Sequence, residues 1–145
     1  MKTLLSALFL AVLLGSWAPF NANSWSLDIG KKTLLSSQKN QLGELAFLDK
    51  KKLNNRDTLQ VSRYLCGASG TASRTTLFIR NEKNELIKMY EYRNSGLVFS
   101  AKAPVSDLLA SADFKNGKAV SLYFGIDSKE DAYNDTVLIA RLQLK

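Results

Sequence analysis

Apolar and polar residues alternate in short runs from Trp25 to the end of the chain, and turn-forming residues break the runs apart. A repeat of two over five to nine residues predicts half-buried β-strands rather than amphipathic helices. "WSLDIGKKTLL" predicts two strands around a turn at Gly30 to Lys32. "ELAFLD" predicts a third, with Leu45 and Phe47 on one face, after a helical turn at Gln38 to Leu42. In "TLQVSRYL" one face carries Leu59, Val61 and Leu65, and Arg63 interrupts it. A charge in that position is a common guard on an outer strand, so Thr58 to Leu65 is expected at a sheet edge.

The clearest unit is "TTLFIRNEKNELIKMYEYR", two alternating runs flanking Asn81 to Asn84. It predicts a β-hairpin, since Asn-rich connections suit tight turns. Leu77, Ile79, Ile87 and Met89 are expected to face the core, with Phe78, Arg80, Lys88, Tyr90 and Tyr92 on the opposite face. "LVFSAK" is expected to pair antiparallel with the hairpin after "RNSG". The period then changes: Val105, Leu108, Leu109 and Ala112 share one helical face, Pro104 suits the first helical position, and Asn116-Gly117 suits the exit. "KAVSLYFGI" returns to strand with Val120, Leu122 and Phe124 inward, and "TVLIARLQLK" closes the chain with Leu138, Ala140, Leu142 and Leu144 inward. The expected fold is an all-β, antiparallel β-sandwich of about seven or eight strands with one short crossover helix, a single domain over 25–145.

The first residues follow different rules. Lys2 precedes an apolar run from Leu4 to Leu14, and Gly15 to Ser24 are mostly small or polar. That order matches a secretory signal peptide over 1–24, cut after Ser24 with Ala22 at the third-last position. The run is too short to span a bilayer, so no stable membrane insertion is expected after cleavage. Export to the periplasm or the cell exterior changes how the lone cysteine is read. Disulfides need cysteines in pairs, so this domain is held by packing alone.

The chain carries a net charge of +7, and loss of the leader removes only Lys2 from that balance. The positive charges are dispersed, with Lys50 to Lys52 the only tight run and Asp49 before it. A solvated loop accounts for that run, and with export no nucleic-acid partner is expected. Attraction to anionic surfaces or polysaccharides is compatible with it. The sequence contains no histidine, which removes the Ser-His and Cys-His nucleophile pairs and the histidine-bearing zinc sites.

"YLCGASGTASR" holds Cys66 at the head of a run of small residues. A thiolate activated by Arg63 or Arg74 is one reading. The preferred one is a half-buried cysteine packing as a small apolar group at a strand end. Gly67, Ser69, Gly70 and Arg74 could together cradle an anion, but no Gly-Lys-Ser/Thr follows and no helix opens there. A connection between strands explains the same composition. "SSQK" has the Ser-x-x-Lys spacing without the companion motifs of that enzyme class. Asp127, Glu130, Asp131 and Asp135 cluster without EF-hand spacing, so a solvated acidic turn is expected, with no metal and no cofactor. Asn134-Asp135-Thr136 forms a glycosylation sequon. The hairpin face of Phe78, Arg80, Lys88, Tyr90 and Tyr92 has the aromatic and cationic composition that interfaces favour.

These features point to an exported, non-enzymatic domain that binds a protein or glycan. An assembly subunit of an envelope complex, pairing through a strand edge such as Thr58 to Leu65, is the alternative. A small enzyme using Cys66 or the Gly/Ser loop is a third, weakened by the missing histidine.

Overall fold

The computed structural model describes residues 23–66, 73–94, 96–128 and 133–145. Among the described residues nine strands form two sheets: β1 (Asn23–Ile29), β2 (Lys32–Ser36), β3 (Glu44–Leu48), β4 (Thr58–Leu65), β5 (Ser73–Arg80), β6 (Leu86–Asn94), β7 (Phe99–Pro104), β8 (Val120–Ser128) and β9 (Tyr133–Leu144). The four-stranded sheet runs β2-β1-β4-β7 and the five-stranded sheet β3-β9-β8-β5-β6. All pairs are antiparallel except β3 with β9. The all-β sandwich expected from the alternation is therefore the fold. Asn23 and Ser24, assigned by the sequence to the leader, belong to β1 and pair with Leu65 and Tyr64. The rest of the leader lies outside the described residues.

The core is the space between the sheets. Leu27, Leu59, Val61, Phe99 and Ala101 face it from one side, and Leu77, Ile79, Leu122, Phe124, Ile126 and Leu142 from the other. Turn chemistry sets the strand ends. Gly30 has φ +59° between β1 and β2, and a Cβ there would stand 3.1 Å from the Asp57 carboxylate, so the position needs glycine for conformation and for space.

Two expectations about strand placement and one about the crossover helix are corrected. β4 is no edge: it lies between β1 and β7, and Arg63 points inward to Asp135 on β9 of the other sheet, at 3.5 Å and without hydrogen-bond geometry. A charge on the inner face marks a cross-sheet tie here. β7 does not join the hairpin but pairs with β4, packing across the core from β5 and β6. The buried Asn94 makes that change of sheet, its Nδ2 donating to Gly96 O and its Oδ1 accepting from Ser100 N. The crossover helix is two pieces, α1 (Val105–Ala110) and α2 (Ala112–Lys115), with extended backbone at Ser111 between them and Pro104 as the N-cap of α1. The break leaves Ala112 exposed, and Phe114 takes the core position instead. Among the described residues no helix is long and apolar enough to cross a membrane.

Candidate functional site

Two β-bulges decide what the outer face of the five-stranded sheet displays. In the hairpin Ile79 pairs with Lys88 and Arg80 with Leu86, so Ile87 is an extra residue. Because side chains alternate with a period of two, one extra residue exchanges the faces of everything beyond it. Phe78 therefore lies beside Met89, and Leu77 beside Tyr90. A second bulge between β8 and β9 pairs Leu122 with Ala140 but Tyr123 with Leu138. It buries Ile139 and turns Leu138, expected inward, to the outer face.

The result is one row across four strands, Met89, Phe78, Tyr123 and Leu138, each the direct cross-strand partner of the next. Met89 is 48% exposed and the other three are half-buried. Beside it runs a second row of Leu86, Arg80, Ser121, Arg141 and Leu45. Two guanidiniums thus flank the apolar band. Arg80 Cζ stands 6.0 Å from the centre of the Phe78 ring while its Nη1 donates to Asn84 O, and Arg141 Nε donates to Gly43 O.

On the other side of the band is a shallow trough of about 230 Å3, lined by Phe78, Thr76, Glu91, Gly125, Asn134 and Thr136 and ending at Arg74 and Asp127. Gly125 makes the trough: a Cβ there would come within 3.1 Å of Thr136 Oγ1 and 3.3 Å of the Phe78 ring. The arrangement is a flat apolar strip with hydrogen-bonding groups along both margins. Such a surface can bind.

The five residues nominated from the sequence are divided between two faces. Phe78 and Arg80 belong to the outer face. Lys88, Tyr90 and Tyr92 are on the inner side of β6, where they close the edge of the sandwich. Tyr90 Oη donates to Asp107 of α1, Lys88 Nζ lies 3.8 Å from the same carboxylate, and Tyr92 Oη donates to Lys102 O of β7 at 2.9 Å. Met89, Tyr123 and Leu138, missed from the sequence, take their places. Cys66 is exposed, not half-buried, with its N–H donating to Asn23 Oδ1. Both cations proposed to activate it are engaged with carboxylates, Arg63 with Asp135 and Arg74 with Asp127. Of the anion loop only Arg74 is described; Gly67, Ser69 and Gly70 lie outside the described residues, as do Glu130 and Asp131 of the acidic stretch. Among the described residues no cluster of three or more His, Cys, Asp or Glu could hold a metal ion.

The Tyr90 contact has a pH signature. Burial first, then the hydrogen bond to Asp107 and that carboxylate's charge, hold the Tyr90 phenol above its ordinary range. A phenol kept neutral in the fold, but free to ionise once unfolded, contributes stability that is intact below about pH 10 and lost as pH rises toward the folded value. Urea unfolding of wild type and Tyr90→Phe should therefore converge in stability above about pH 10. Profiles that stay parallel through the alkaline range would remove Tyr90 as the titrating group.

Neither a protein-family model nor a curated protein matches the chain.

Proposed function

We propose that the protein is an exported, non-enzymatic binding domain that engages a protein or glycan partner through the outer face of its five-stranded sheet. The observation carrying this reading is the unbroken row Met89, Phe78, Tyr123 and Leu138, half-buried to exposed and bordered by Arg80 and Arg141. Aromatic, Met and Arg side chains are the types enriched in interfaces, and an apolar band crossing four strands is more than the scattered exposure of a monomer surface. Export supports a partner in the cell envelope or outside the cell, and the absence of histidine supports a role in binding over catalysis. The competing role, assembly through a strand edge, loses Thr58 to Leu65 to the sheet interior. The long outer strand β6 carries Lys88, Glu91 and Arg93, charges of the kind that discourage edge pairing.

The test compares wild type with the double variant Phe78→Ser/Tyr123→Ser, both immobilised and exposed to envelope extract, culture fluid and a glycan array. A protein or glycan retained by wild type and reduced at least about tenfold by the variant is expected, as befits two central contact residues. Equal retention by both proteins, with unchanged thermal stability, would rule out this face.

A further inference from the structure

A separate groove lies on the opposite edge of the sandwich, where residues of β2 and β3, the outer strands of the two sheets, line a common cleft without pairing. Its volume is about 460 Å3, within the range of small-molecule sites. Ile29, Leu34, Phe47 and Leu53 form an apolar floor; three of them are partly buried against the core, and Phe47 is 58% exposed. Lys31, Lys32 and Lys52 stand on its rim with Asp49 and Asp57. Asp49 is committed locally, its Oδ1 accepting from Lys51 N–H and its Oδ2 3.8 Å from Lys52 Nζ. Among the described residues no carboxylate pairs with Lys31 or Lys32.

We propose that this groove binds an anionic single-chain amphiphile of the fatty-carboxylate class. The alkyl chain lies on Ile29, Leu34, Phe47 and Leu53, and the head group meets Lys31 and Lys32 at the β1–β2 turn. The argument is complementarity of two kinds in one place. An alkyl chain gains from leaving water against the apolar floor, and an anion gains from Lys31 and Lys32, two rim cations without a carboxylate partner that outnumber the one rim carboxylate not tied locally, Asp57 beside Gly30. A neutral lipid would use only the first feature and an acidic sugar only the second. A cationic amphiphile would meet repulsion where the carboxylate meets attraction. Phe47 stands on the same face of β3 as Leu45, but none of Met89, Phe78, Tyr123 and Leu138 lines the groove, so separate substitutions test this inference and the function proposed above.

The test is calorimetric titration of the protein with laurate and, separately, with dodecyltrimethylammonium, which keeps the chain and inverts the head. Laurate should bind, and the cation should bind at least about tenfold more weakly. Lys31→Glu/Lys32→Glu should weaken laurate by about tenfold or more, and raising salt should weaken it in wild type alone. Phe47→Ser, at an exposed position, should also weaken laurate, whereas Phe78→Ser/Tyr123→Ser should leave it unchanged. Circular dichroism of each variant establishes that it is folded. Absence of laurate binding, equal binding of both amphiphiles, or indifference to the lysine and Phe47 substitutions in folded variants would overturn the proposal. So would displacement of laurate by a much tighter-binding peptide of alternating Glu and Leu, which would assign the groove to an acidic protein segment.

Discussion

Replacing Phe114 by alanine should lower the unfolding free energy by about 3–5 kcal/mol, while replacing Ala112 by lysine two residues away should change it by no more than about 0.5 kcal/mol. The contrast follows from how the crossover is held. Helices of six and four residues are far too short to persist by their own hydrogen bonds, and neither has a side-chain N-cap. They exist because Val105, Leu108 and Phe114 reach the core, and Phe114 is fully buried while Ala112 is exposed. Truncating the ring removes its transfer free energy and leaves a cavity that two short helices cannot collapse to fill. The urea midpoint should fall by on the order of 2 M for Phe114→Ala and stay in place for Ala112→Lys. A smaller loss at Phe114 than at Ala112 would mean that the helical period continues through Ser111, as the sequence suggests, and that the break there is not maintained.

That contrast also separates what the sequence discloses from what it hides. Strand positions and turns are local properties, and they are legible: the alternation marks β5 and β6 almost to the residue, and the turn at Asn81 to Asn84 contains the one non-glycine residue of positive φ among the described residues, Asn84. Facing is inherited across a turn only while the ladder is regular. Each bulge exchanges the two faces, and no residue type announces one in "NELIKMYEY" or "TVLIARL". Leu77 and Ile79 are buried as expected because they precede the hairpin bulge, whereas Met89 and Tyr90 exchange roles because they follow it. The same exchange places Leu138 outside. The outer face was therefore half legible: the facing of Phe78 and Arg80 follows from the alternation, and that of the other members depends on two inserted residues. Sheet membership is less local still. Nothing within "LVFSAK" distinguishes pairing with β6 from pairing with β4, because that choice is made by the corner preceding it.

The corner makes its own prediction. Ser100, the second residue of β7, is held from both sides: Thr75 Oγ1 of β5 donates to its carbonyl at 2.5 Å, and its N–H donates to Asn94 Oδ1 at 3.3 Å. Thr75 is fully buried and Asn94 nearly so. Removing either side chain would take a hydrogen-bond partner from the backbone of the half-buried Ser100. Thr75→Val and Asn94→Ala should each cost about 1–3 kcal/mol, Thr75→Val while keeping nearly the same volume. Since both bonds end on one peptide segment, losing the first frees that segment and lowers the value of the second. The double variant should then cost less than the sum of the single variants by more than about 0.5 kcal/mol in a urea double-mutant cycle. Strict additivity would mean that pairing with β4 alone fixes β7. Coupling would mean that Asn94 and Thr75 jointly direct the chain from the five-stranded to the four-stranded sheet, leaving β6 as an outer strand with Met89 on its open face.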